Sequence, residues 1–324
     1  MDIVFYPIKF FADFLTYSVF KITAHTLLGE AVNFFIFDTV KIFILLGVII
    51  FLISLVRTYL PPEKIRAVLI KKNIFFSHIL AALFGIITPF CTCSAIPLFL
   101  GFVQAGIPLG VTFSFLVASP MINEVALILL FGMFGYKIAL LYIVSGLIIA
   151  IISGIIIGRL KVENLVADFV WQNQTKNANF HGQTMTKKER MAYAKDYTKE
   201  IIIKVWPYII IGIGVGAWIH GYIPADFLAQ YAGADKWYAV PLAVIIGIPL
   251  YSNAAGIIPL VSALTEKGVA TGTTLAFMMA VTALSLPEFM ILKKVMKIKL
   301  ILIFAGIVGF GIILTGYLFN FILK

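Results

Sequence analysis

The sequence has very little charge: 12% of its 324 residues are Asp, Glu, Lys or Arg, against 61% hydrophobic. A soluble globular domain carries roughly 25% charged residues and about half apolar ones. A polar shell facing water is therefore excluded, and a mean hydropathy of +1.05 puts the surplus apolar surface against lipid. Acidic residues are scarcer than basic ones, 15 against 25, for a net charge of +10. Most Lys and Arg fall in a few loops between apolar runs, the positive-inside pattern of an inner or plasma membrane protein. The bilayer is thus the expected partner, and no nucleic acid is expected. The start, Met1-Asp2-Ile3-Val4-Phe5, lacks the basic n-region of a cleavable signal peptide. Cysteine is limited to Cys91 and Cys93. Two are too few for a disulfide scaffold or a closed tetrahedral zinc site. No Walker A pattern occurs, so ATP hydrolysis by this chain is not expected. No cofactor is expected, and the chain is not read as an enzyme.

What is present is a series of apolar runs. About 20 residues at ~1.5 Å rise each span the ~30 Å hydrocarbon core. Full-length runs occupy residues 40–60, 110–131, 137–158, 200–220, 270–292 and 300–322. Two further stretches, 74–105 and 239–265, are interrupted. Residues 1–38 carry Lys21, His25, Glu30 and Asp38 and read as one imperfect crossing or an interfacial helix. The basic loops at 61–72, 159–199 and 293–299 are expected in the cytoplasm, and loops 132–137 and 221–238 outside. Trp206, Trp218 and Trp237 read as interfacial anchors. The linker 159–199 reads as a solvated connector, and Thr186-Lys187-Lys188-Glu189 in it has capping-box spacing. A helix is expected to start there and run into the 200–220 crossing.

The chain also repeats. With Pro97 placed on Pro259, Gly106 falls on Gly268, Gly110 on Gly272, Thr112 on Thr274 and Phe115 on Phe277. Each half reads as helix, interrupted segment, helix, helix, and the basic loops give the halves opposite orientation. The expected fold is all-α, with two inverted-topology repeats, each holding one broken membrane segment. The division is an N-terminal segment 1–38, repeat 1 at 39–158, a cytoplasmic linker at 159–199, and repeat 2 at 200–324. Inverted repeats are a recurring plan of secondary transporters.

The interrupted segments carry the candidate chemistry. Pro89 breaks the first, because it lacks an N–H and clashes one turn back. Ser94 is placed to cap the half-helix that follows, with Pro97 in its first turn. The second runs through Tyr251-Ser252-Asn253-Ala254-Ala255-Gly256 to Pro259. Irregular backbone at membrane depth is tolerated only inside protein or along a wet cavity, and paired breaks point to a transport site. Two plain proline kinks are the alternative. Cys91 and Cys93 sit beside a helix N-terminus, which favours the thiolate, a soft donor. Their alternative role is packing. Glu124 and Glu288 are carboxylates within crossings, where the default is proton relay, cation contact or counter-charge. For Glu288 a pairing with Lys293 or Lys294 is the alternative. Asn123, Tyr251, Ser252 and Asn253 either bind substrate or satisfy free backbone groups. His78 reads as a packed or interfacial histidine.

Thr88-Pro89-Phe90-Cys91-Thr92-Cys93-Ser94-Ala95-Ile96-Pro97, then Gly106-Ile107-Pro108-Leu109-Gly110, Ala118-Ser119-Pro120 and Asn123-Glu124, resembles a family of predicted permeases. That family includes the ArsP organoarsenical efflux permeases and the YraQ-like proteins, and the likeness covers residues 40–322. It implies a membrane permease. In the arsenic-resistance members it implies export of trivalent organoarsenicals, with Cys91 and Cys93 as the arsenic contact. The expected activity is export of a small thiophilic substrate by alternating access, energised by an ion gradient or a partner ATPase. A membrane thiol oxidoreductase using the cysteine pair and a small-solute channel are the alternatives. A homo-oligomer is left open.

Overall fold

A computed structural model describes residues 2–23, 26–59, 73–87, 92–122, 124–167, 186–222, 236–250, 257, 260–261, 264–265 and 268–323. Helix α1 (Asp2–Asp13) runs into a π-helical turn at Phe14–Val19. It is followed by α2 (Leu27–Tyr59), α3 (Ile74–Ile87), α4 (Thr92–Gln104), α5 (Leu109–Met121) and α6 (Glu124–Arg159). Beyond the linker come α7 (Lys187–Tyr222), α8 (Ala239–Gly247), α9 (Thr271–Ala283), α10 (Leu286–Leu292) and α11 (Ile298–Ile322). Three stretches among the described residues are long and apolar enough to cross a membrane: Leu130–Arg159, Thr271–Leu292 and Ile298–Ile322. Helix α6 exposes Leu140, Val144, Ile148, Ile152 and Ile156 and buries Tyr142, Ala150, Ser153 and Ile157. The exposed set recurs every fourth residue, which makes one continuous apolar stripe of the kind that faces lipid. The protein is a multi-pass α-helical membrane protein.

Three sequence expectations need correction. Residues 110–131 and 270–292 do not form unbroken helices. The first ends at Met121 and restarts at Glu124; the second ends at Ala283 and restarts at Leu286. Pro287 lies in the first turn of α10, where it lacks the N–H that would bond back to Ala283 and continue α9; Pro120 lies in the last turn of α5 and removes one of its closing hydrogen bonds, to Leu116. Each half therefore holds a second interruption. The third correction concerns residues 27–38, which continue into α2 instead of ending with the N-terminal segment. The charges that suggested a break are accommodated: Glu30 lies in the first turn, and Asp38 pairs with Lys41 at 3.7 Å.

Elements recur 162 residues apart. Adding 162 to 109–121 gives 271–283, the bounds of α9; adding it to 27–59 gives 189–221, within α7. The turns recur too. Ile107 N–H donates to the Phe102 carbonyl at 3.1 Å and Gly106 N–H to Val103 at 3.0 Å. Val269 donates to Leu264 and Gly268 to Thr265, both at 3.0 Å. Both are Schellman closures, and both need φ > 0, 76° at Gly106 and 85° at Gly268, which glycine adopts without steric cost. The helix crossings match as well. A Cβ on Gly85 would meet Phe115, Ala118 and Ser119; one on Gly247 would meet Phe277, Ala280 and Val281, the same positions plus 162.

Direction along the bundle follows from contacts. Gly47 of α2 faces Ile202 of α7, and Phe35 of α2 faces Gly214. One number falls as the other rises, so α2 and α7 pack antiparallel. Linker residue Ala167 donates to Val295, and Lys297 to Leu165, at 2.9 and 2.7 Å. The linker and the basic loop 293–299 thus share the Ile298 end of α11. At the far end, the Tyr317 hydroxyl donates to the Trp237 carbonyl. That carbonyl is free because Pro241 has no N–H to give it. The two contacts are about 30 Å apart at ~1.5 Å per residue.

Candidate functional site

The short helices cannot cross alone. A 13-residue helix covers about 20 Å at ~1.5 Å per residue, so α4, α5 and α9 each end or begin inside the protein. Pro89, Cys91, Asn123, Tyr251, Ser252 and Asn253 lie outside the described residues. Cys93 and Ser94 are the second and third residues of α4, and Glu124 is the first residue of α6. Ser94 is therefore inside the first turn and does not cap it: the helix starts three residues sooner than expected. Pro97 is then the residue whose missing N–H leaves the Cys93 carbonyl without its helical donor.

Glu288 is the predicted site residue seen most completely. It is the third residue of α10 and is 1% exposed. Both of its carboxyl oxygens are buried with no hydrogen-bond partner. The alternative pairing with Lys293 or Lys294 is not made; both lysines lie on the exposed surface past the end of α10. Helix α10 packs against α4 and α7, and Leu286 N–H donates to the Ile248 carbonyl at 2.8 Å, just past α8. The structure thus brings the glutamate-bearing helix of one half against the cysteine-bearing helix of the other. Aromatic rings bridge the gap. Phe99 of α4 meets Phe113 of α5 at 5.3 Å, Phe113 meets Phe304 of α11 at 5.7 Å, and Phe304 meets Phe289 of α10 at 6.4 Å.

Two buried polar groups were not singled out from sequence as site residues. Tyr142 is fully buried, and its hydroxyl donates to the Met121 carbonyl at 3.0 Å. The same hydroxyl contacts Thr282, which itself donates to Met278 at 3.0 Å. Tyr142 therefore joins the last turn of α5 to the last turn of α9, the two helices that stop short at the second interruptions. Its equivalent 162 residues on is Phe304, also buried but with no hydroxyl. The signal was available: a tyrosine inside the apolar run 137–158, on the face opposite Leu140 and Val144. The second group is His78, whose Nδ1 lies 2.8 Å from the Ser114 hydroxyl where α3, α5 and α6 cross at Gly154. At the equivalent crossing, Gly316 meets Val240 and Ala276. The crossing can thus be packed with apolar side chains, and the polar pair belongs to the first half alone.

Outside the membrane the capping box is present as expected. Thr186 N–H and hydroxyl both donate to the Glu189 carboxyl, at 2.7 and 2.8 Å, and Glu189 N–H returns to the Thr186 hydroxyl at 3.4 Å. These two donors hold the Glu189 carboxyl below the usual carboxylate range.

Among the described residues no group of three His, Cys, Asp or Glu side chains gathers as a metal site. The chain is similar to known proteins over most of its length. It is 28% identical over 270 residues to a Streptococcus mutans protein whose name assigns it provisionally as a subunit of a two-component membrane permease complex, covering 82% of this chain and 85% of that protein. It is 23% identical over 304 residues to a UPF0718 protein of Methanocaldococcus jannaschii, covering 77% of this chain and 83% of that one. It is 21% identical over 278 residues to the UPF0718 protein YraQ of Escherichia coli, covering 84% and 75%. No solved structure matches. The model of the predicted permease family ArsP_1 matches residues 27–321, nearly all of the membrane bundle just described, and the chain belongs to that family.

Proposed function

We propose that this permease is a secondary transporter that works by alternating access between two inverted halves and exports a small thiophilic solute, with trivalent organoarsenicals as the leading class. The observation that carries the reading is the 162-residue recurrence of helices, turns and glycine crossings, with α2 and α7 antiparallel. Inverted halves with helices interrupted at mid-depth are how secondary transporters expose one central site to each side in turn. The basic linker and loop 293–299 at one end of α11, with Trp237 at the other, support the inverted orientation. Residues 159–199 are then the cytoplasmic connector between halves 39–158 and 200–324.

In this reading Cys91 and Cys93 contact the soft centre, with Pro89 and Ser94 shaping the break around them. Tyr251, Ser252 and Asn253 form the polar wall from the second half. Glu124, Asn123 and Glu288 handle the coupling charge. A monomethylated trivalent arsenic has one valence taken by carbon, so two thiolates complete it, whereas arsenite would call for a third. The Streptococcus relative's name includes a second component, which favours a partner subunit for this chain as well. The test is uptake into everted membrane vesicles across a panel of trivalent arsenicals and other thiol-reactive solutes. Saturable accumulation of methylarsenite that collapses with the ion gradient is expected. Non-saturating flux would instead favour a channel, and electron transfer without accumulation would favour the oxidoreductase.

A further inference from the structure

We propose that Glu288 is the proton carrier of this permease, its carboxyl taking up and releasing one proton per transport cycle. The inference rests on the alternating-access reading and names its coupling ion. Glu288 is 1% exposed, and neither carboxyl oxygen has a hydrogen-bond partner. An ionised carboxylate so placed is strongly disfavoured unless a positive charge accompanies it.

Among the described residues no hydrogen-bonding partner meets the Glu288 carboxyl. On α4 the titratable side chain is Cys93; in the apolar stretch of α7 the titratable residues are Glu200, Lys204, Tyr208, His220 and Tyr222. On α11 they are Lys299 and Tyr317, and Lys293 and Lys294 follow α10 on the exposed surface. Lys293, Lys294, Lys299 and Tyr317 are exposed, and none of the four hydrogen-bonds to the Glu288 carboxyl. Phe289, beside Glu288, and its ring partner Phe304 line that part of the bundle with apolar rings. A bound metal cation would need several further oxygen ligands, and no cluster of three ligating side chains occurs among the described residues. The form this site accommodates is the neutral acid.

The internal repeat acts as a control on the alternative, that a carboxyl is needed there for packing. The position 162 residues earlier is Ala126, also 1% exposed. The fold therefore accepts a small apolar residue at this point, and the acid is an addition peculiar to the second half. Glu124 differs in this respect. Its equivalent is Leu286, so the two glutamates stand two residues apart within corresponding helices and are not interchangeable. The proton balance is simple. One O–H bond forms when water on one face delivers the proton, and the same bond breaks when the opposite face becomes wet. No electrons move.

The test is infrared difference spectroscopy on the purified full-length protein in lipid bilayers, comparing about pH 5 with about pH 10 in sodium-free buffer. A carbonyl stretch of a neutral carboxylic acid is expected at low pH, replaced by carboxylate bands at high pH. It is expected to be missing from Glu288→Gln and from Glu288→Ala, the residue of the equivalent position, and retained in Glu124→Gln. Persistence of the band in both Glu288 variants, its loss in Glu124→Gln, its absence from the wild type or its failure to titrate would each overturn the proposal. So would loss of the band on adding sodium at constant pH, which would make the ligand a metal cation. The spectrum needs no substrate, so a failure here is distinct from a failure of the transport assay.

Discussion

Replacing either Cys91 or Cys93 with serine is expected to reduce methylarsenite resistance, in a host made sensitive to it, to the level of cells lacking the protein. Expression and membrane insertion should stay normal. The expectation follows from ligand chemistry. A thiolate is soft and forms strong bonds to a thiophilic centre, whereas a serine hydroxyl is a hard, neutral donor at physiological pH. Methylarsenite offers two exchangeable positions, so losing one sulfur halves the covalent contact. The local structure adds to this. Helix α4 begins at Thr92, directly after Cys91, and Cys93 lies in its first turn. The free N–H groups at that end stabilise negative charge on nearby sulfur, and serine would not use them in the same way. Serine is smaller than cysteine but close in shape, so the fold should not suffer. Full resistance in the double variant would remove the thiols from the mechanism and return them to a packing role.

Valine at Gly110 or at Gly272 is expected to cut the folded yield several-fold, by the same cause in each half. A Cβ on Gly110 would lie 2.5 Å from the Gly154 carbonyl oxygen and 2.8 Å from the Gly158 Cα. A Cβ on Gly272 would press on the Gly316 carbonyl and lie 2.5 Å from the Asn320 N. These obstacles are backbone and cannot swing aside, so the helices must separate. Overpacking of this kind costs roughly 1–3 kcal/mol even where side chains can adjust. Gly306→Ala is the contrast. Nothing lies within 4 Å of a Cβ there, and alanine in a helix interior should gain about 0.5–1 kcal/mol. Thermal stability of the detergent-purified variants, read by monodispersity after heating, separates the three. Equal losses at Gly110 and Gly272, with none at Gly306, are expected; tolerance of valine at both would mean that close helix approach is not what holds each half together.

The 162-residue spacing was legible in sequence because the glycines and prolines that mark it are rare and fixed in position. Gly106 and Gly268 turn out to close identical turns, and Gly110 and Gly272 identical crossings. The interruptions after Met121 and Ala283 were not legible as breaks. The apolar residues on either side are continuous, and hydropathy averaged over a crossing does not register two residues leaving the helix. Pro120 and Pro287 were visible, but a proline in an apolar run reads equally as a kink. Helix α2 was misjudged at its start for the opposite reason: charges suggested an end where an intrahelical ion pair made continuation possible. The burial of Glu288 could not be read from its neighbours in sequence. Lys293 and Lys294 are close along the chain, yet the short α10 carries the carboxyl inward and leaves both lysines exposed. Tyr142 and the His78–Ser114 pair needed the three-dimensional repeat, since their interest lies in the apolar residues, Phe304, Val240 and Ala276, that occupy the same places in the other half.

Two oppositely oriented halves that enclose one site must expose their loops on defined sides of the membrane. Single reporter cysteines would be placed in loops 61–72, 221–238 and 293–299 of a chain lacking Cys91 and Cys93. Each would be labelled with a membrane-impermeant maleimide in right-side-out and in everted vesicles. Labelling of 61–72 and 293–299 only from the cytoplasmic face, and of 221–238 only from outside, is the predicted result. Labelling of 61–72 and 221–238 from the same face would make the halves parallel and contradict it.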